Sequence, residues 1–112
     1  MKLISDTHKT ILNPKNKDLL MVLEPSKKKR KFMNVIRLEA ENGNYIAMLT
    51  GSNYIHNKLT VYVFEKQLEL KQEISTEIAY KLFKKFLRNE FAWLKQYEWK
   101  KGLVQLIREY SD

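Results

Sequence analysis

FMNVIRLEAENGNYIAMLTG, residues 32–51, is the stretch on which the fold turns. Asn42-Gly43 is the strongest two-residue hairpin signal, because both central residues of a type I′ turn need positive φ. Pairing outward from it sets Glu41 opposite Asn44, Ala40 opposite Tyr45, Leu38 opposite Ala47 and Ile36 opposite Leu49. The last three pairs are wholly apolar and share one face, so turn and hydrophobic pattern predict one register. The opposite face then sets Glu39 against Ile46, Arg37 against Met48 and Val35 against Thr50, a mixed surface.

C-terminal to this hairpin, GSNYIHNK (51–58) has the composition of a loop, and LTVYVFE (59–65) alternates as a strand with Tyr62 and Phe64 on one side. KQLELKQEI (66–74) reads as a further strand. Ser75 or Thr76 then provides an N-cap with Glu77 in the first turn. Ile78, Leu82, Phe83, Phe86, Leu87, Phe91 and Leu94 follow at helical spacing. The spacing predicts a long amphipathic helix, with Asn89-Glu90 as an alternative stop and Gly102 as the break before a short closing helix through Leu103, Leu106 and Tyr110. Trp93 and Trp99 fall on different sides of that helix.

N-terminal to the hairpin, LLMVL (19–23) ends at Glu24-Pro25 and reads as a buried strand, preceded by a flexible segment over 1–17. The expected fold class is α+β in a single domain, 1–112: an antiparallel β-meander of about four strands over 19–74, followed by helices over 75–111.

The 112 residues suffice for one core without staples. There is no cysteine, which excludes disulfides and thiolate metal sites and favours a reducing compartment. The opening MKLISDTHKTILNPKNKD meets Asp6 and His8 before any signal-like apolar run, and no later run approaches the roughly 18 residues of a membrane helix. The expectation is a soluble, intracellular, cytoplasmic protein without a membrane partner.

Net charge is +8, concentrated in two places. PSKKKRKF (25–32) supplies Lys27, Lys28, Lys29, Arg30 and Lys31; residues 81–101 hold seven cations against Glu90 and Glu98. Lys81, Lys85, Arg88 and Lys95 form a basic stripe along the predicted helix. The KKKRK run fits three readings: a nuclear import signal in a eukaryotic setting, a phosphate-contacting loop that releases counterions, or a solvated turn.

Enzymatic signatures are missing: no Gly-rich phosphate loop, nucleophile elbow or cysteine nucleophile occurs. ISDTH (4–8) resembles the first metal-binding motif of calcineurin-like metallophosphoesterases, a likeness that would make Asp6 and His8 ligands. The remaining Asp, Asn and His ligands of such a site have no counterpart, His56 being the other histidine. We therefore expect no metal and no cofactor. FAWLKQYEWKKGLVQLI (91–107) has the Trp, Tyr and Lys content of a membrane-surface helix, but its apolar residues serve more simply as core.

The mixed face of the hairpin carries Ile46, Met48, Tyr62, Phe64 and Arg37, too apolar for open water. Another chain segment, a second subunit in a homodimer, or stacked nucleobases would cover it. The order of a basic meander followed by a capped helix, over roughly residues 19–95, is similar to single-stranded-DNA-binding transcriptional coactivators of the positive-cofactor-four type, without a shared residue motif. The leading expectation is a non-enzymatic nucleic-acid-binding domain, single-stranded DNA or RNA favoured. Lys27 to Lys31 would hold phosphates, Arg37, Tyr62 and Phe64 would form a stacking surface, and Lys81, Lys85 and Arg88 a second basic edge. The alternative is an inhibitor or adaptor that binds an acidic protein.

Overall fold

The computed structural model describes residues 1–6, 8–24, 34–50 and 57–101. Its strands are β1 (Lys2–Ser5), β2 (Ile11–Leu12), β3 (Asn34–Glu39), β4 (Tyr45–Thr50), β5 (Asn57–Val63), β6 (Lys66–Leu70) and β7 (Trp99–Lys101). Two helices, α1 (Asn16–Leu23) and α2 (Thr76–Leu87), and a 3₁₀ turn at Ala92–Gln96 complete the described elements. The strands form one sheet in the order β2-β1-β3-β4-β5-β6-β7, antiparallel at every step.

This overturns the expected four-strand meander with a long C-terminal helix. The segment expected to be flexible, 1–17, contributes β1 and β2, with Leu3 buried and the Asp6 carboxylate accepting from Val35 N at 3.1 Å. LLMVL is the end of α1, not a strand. Leu19, Val22 and Leu23 face the core at i, i+3 and i+4, whereas Leu20 and Met21 are exposed, so apolar residues on the outer side disguised the helical period. Asp18 accepts from Lys15 N (2.8 Å) and fixes the start of the helix.

The long helix stops early. Ser75 caps α2, accepting from Ile78 N at 3.2 Å, as expected. At the other end Asn89 takes φ +61, Asn89 N donates to Phe86 O and Glu90 N to Lys85 O, both at 2.9 Å. That pair of bonds is a Schellman motif, and it turns the chain out of the helix at the alternative stop. Trp93 and Trp99 consequently meet, ring centroids 6.0 Å apart, in a cluster with Tyr97, and Trp99 begins the edge strand β7. Gly102 and the expected closing helix lie outside the described residues.

The hairpin register is also off by one from the expected one. Glu39 pairs with Tyr45, Leu38 with Ile46, Arg37 with Ala47 and Ile36 with Met48. The loop has three residues: Ala40 N donates to Asn44 O (2.8 Å), Gly43 N to Ala40 O (3.1 Å), and Gly43 alone takes positive φ, +92. Asn42 accepts from Asn44 N through its side chain (3.1 Å). Because side chains alternate, the slip sends Ile46 and Met48 to the core and brings Tyr45, Ala47 and Leu49 to the other face.

Energetics explain the choice. Fully burying a side chain the size of Ile or Met contributes ~1.5–3 kcal/mol each, and both are completely buried. Both helices pack on this apolar face, where Ala79, Leu82, Phe83 and Phe86 of α2 join Leu19 and Val22 of α1 over Ile36, Leu38, Ile46, Met48, Leu59 and Val61. The sheet therefore has one covered face and one that neither helix covers.

Candidate functional site

The face that neither α1 nor α2 covers is laid out by strand pairing. One row across the sheet runs Leu12, Lys2, Glu39, Tyr45, Tyr62, Gln67, and the next runs Ile4, Arg37, Ala47, Thr60, Glu69, Lys100. Tyr45 and Tyr62 stack with centroids 5.7 Å apart and planes 16° from parallel. The Arg37 guanidinium carbon lies 3.9 Å from the Tyr45 ring centroid. Since β3 and β5 flank β4, cation and ring approach Tyr45 from its two sides. Cation and rings form one continuous stack across three strands.

Two acidic contacts bound the row. Arg37 Nε is 3.2 Å from Glu39 Oε2 yet has no hydrogen-bond partner, so the pair attracts as charges without a directional bond. Lys100 Nζ sits 3.7 Å from Glu69 Oε2, with the lysine half exposed, a contact worth little in solvent. On the β6 side, Tyr45 Oη donates to Gln67 Oε1 at 2.5 Å, and Gln67 is 5% exposed. The cations of this face, Lys2, Arg37, Lys58 and Lys100, outnumber Glu39 and Glu69.

The expected site residues divide three ways. Arg37 and Tyr62 come together here, joined by Tyr45. Phe64 does not lie on this face: it occupies the two-residue turn between β5 and β6, where Phe64 and Glu65 take φ +52 and +62. Its ring is 67% exposed and meets Phe91 edge-on at 5.6 Å. Lys81, Lys85 and Arg88 are exposed on α2, which packs on the opposite face of the sheet, so they form a separate basic surface. Lys27, Lys28, Lys29, Arg30 and Lys31 lie outside the described residues, as does His56.

Ile46 and Met48, two of the residues whose exposure suggested a covering subunit or segment, lie in the core, and Ala47, Leu49 and the exposed Val35 stand on this face in their place. Tyr45 and Gln67 are the residues that sequence reasoning passed over; the correct register would have set Tyr45 beside Tyr62. Asp6 is engaged with the β3 backbone, and among the described residues no three His, Asp or Glu side chains converge as metal ligands. Also among these residues, no helix is long and apolar enough to cross a membrane.

A second feature lies between the helices. A cleft of about 250 Å³ is lined by Leu20, Leu23, Thr76 and Tyr80, with Glu24, Glu77, Lys81 and Lys84 also on its walls. Lys84 Nζ stands 4.6 Å from the Tyr80 ring centroid. Comparison with protein-family models, with curated proteins and with solved structures gives no match to this chain.

Proposed function

We propose that the chain is a non-enzymatic binding domain whose open sheet face takes single-stranded nucleic acid, DNA or RNA. The observation that carries this is the Arg37–Tyr45–Tyr62 stack on the face that neither helix covers. Single strands bind where aromatic rings offer stacking and cations track the backbone. Lys2, Lys58 and Lys100 supply such cations around the stack, and the Lys27–Lys31 run, three residues before Asn34 in sequence, adds phosphate contacts. Lys81, Lys85 and Arg88 contribute a long-range field from the other side of the sheet and no direct contact.

The test is fluorescence anisotropy with a labelled 12-mer across a salt series. Neutralising three or four phosphates of a single strand gives a log–log slope of about −2 to −3. Tyr62→Ala weakens binding by ~1–3 kcal/mol with the fold intact, while the double change Lys81→Glu, Lys85→Glu leaves the slope nearly unaltered. Absence of binding at low salt ends this reading.

The cleft between α1 and α2 favours a second reading, an adaptor for an acidic protein. Leu20, 46% exposed, lines this cleft with Lys81 and Lys84, which with Glu24 and Glu77 on the same walls makes a surface for an apolar anchor whose acidic flank meets the two lysines. Lys81→Glu with Lys84→Glu would abolish that interaction and spare oligonucleotide binding.

A further inference from the structure

Gln67 is a buried amide whose two N–H donors are unused among the described residues. It stands on β6 directly opposite Tyr62, 5% exposed, and its Oε1 accepts from the Tyr45 hydroxyl at 2.5 Å. That separation fits an O–H donor and is shorter than an amide N–H to oxygen contact normally becomes. The oxygen therefore faces Tyr45, and the NH2 group faces away. Among the described residues no acceptor faces Nε2. The nearest carboxylate on the same face and strand, Glu69, is held by Lys100.

In this orientation the amide presents its donor side. Turning it over would make Tyr45 Oη the acceptor and leave the hydroxyl proton without the oxygen it now reaches, so the short O–H···O bond favours two N–H groups beside the last ring of the stack. A partner that brings a carbonyl oxygen there satisfies the group; one that brings an amino group sets donor against donor. Thymine and uracil carry carbonyls at positions 2 and 4 and guanine at position 6, whereas adenine carries an amino group and no carbonyl.

We infer that Gln67 makes the open face selective for bases bearing a carbonyl oxygen, donating from Nε2 to that oxygen while the base lies against Tyr62. This rests on the reading of the face as a single-strand site. One net hydrogen bond, with a mismatched donor avoided, corresponds to about a tenfold preference.

The measurement is anisotropy with dT12, with dA12, and with a dA12 strand carrying hypoxanthine at alternate positions, which exchanges the adenine amino group for a carbonyl within the same ring system. The wild-type protein binds the thymine and hypoxanthine strands about tenfold more tightly than dA12. Gln67→Met, which keeps length and removes the donor, brings both ratios to about one. Gln67→Glu, which retains an oxygen for Tyr45, lowers all affinities and also loses the ratio. Equal wild-type affinity for the three strands overturns the inference and leaves the single-strand reading standing, as does a ratio that survives both substitutions. No binding of any strand at low salt overturns both. Should a variant fail to fold by circular dichroism, the wild-type ratio between adenine and hypoxanthine strands decides alone.

Discussion

The two faces of β4 place neighbouring residues in different media. Ile46 and Met48 are wholly buried beneath the helices, while Tyr45 and Ala47, each one position away, look out from a face that neither α1 nor α2 covers. Tyr45 spends its ring on Arg37 and Tyr62 and its hydroxyl on Gln67, contacts that a ligand can extend or replace. Ile46 and Met48 have only packing. Stability is thus concentrated on one face and the chemistry of the proposed binding surface on the other, and alternation along a single strand keeps the two separable by mutation.

Core truncation gives the largest expected difference. Met48→Ala removes a fully buried side chain and should destabilise by ~2–5 kcal/mol in denaturant unfolding. Tyr62→Ala, on the open face, should lose about 1 kcal/mol, the order of one stacked aromatic pair. Comparable losses at the two positions would mean that the open face is core after all. Next in size is Asn57, a buried amide on β5 whose Nδ2 donates to Ile74 O (3.0 Å) and ties the sheet to the start of α2. Asn57→Ala leaves that carbonyl only the backbone N–H of residue 57 (3.3 Å) and removes the side-chain bond to Thr76 Oγ1 (3.4 Å), and about 1–2 kcal/mol of stability should go with the two side-chain bonds. Oligonucleotide affinity, read below the melting range, should stay within about twofold of wild type, since a change of under ~0.4 kcal/mol is expected at a remote site.

Much of the covered face was legible in the amino-acid sequence. The alternation of Leu59, Val61 and Val63, the Ser75 cap and the helical spacing of Leu82, Phe83 and Phe86 are local signals that the structure uses, whereas Ile78, read as part of the same face, is exposed and Ala79 takes the buried position. What was not legible depended on partners far away in the chain. KLIS is a strand because β3 offers it an edge, and nothing within four residues announces that. WKK becomes β7 only after the Schellman turn at Asn89 aims it at β6. The candidate site suffered most, because register sets which residues are neighbours: Arg37 and Tyr62 were placed on one face, while Tyr45 and Gln67 join them only when the correct strand pairs are known.

The turns carry a smaller version of the same contest. Phe64 and Glu65 adopt the two-residue turn with both φ positive, although neither is Gly or Asn, while Asn42-Gly43, the better sequence for it, sits in a three-residue loop. Relieving one left-handed residue with Glu65→Gly should raise stability by about 1 kcal/mol and keep the Phe64–Phe91 contact.

Deleting Glu41 asks the question directly at the other turn. The shortened loop would put Asn42-Gly43 between Ala40 and Asn44 as a two-residue turn, in the register that already buries Ile46 and Met48. Turn preference and burial would then agree for the first time. Stability should change by less than about 1 kcal/mol in either direction, because a favourable turn type replaces the Gly43 bulge and the Asn42 side-chain bond. The open face should keep its affinity, since Tyr45 remains opposite Tyr62. A loss of several kcal/mol would place the determinant of register in the loop itself and not in the contrast between the two faces of β4.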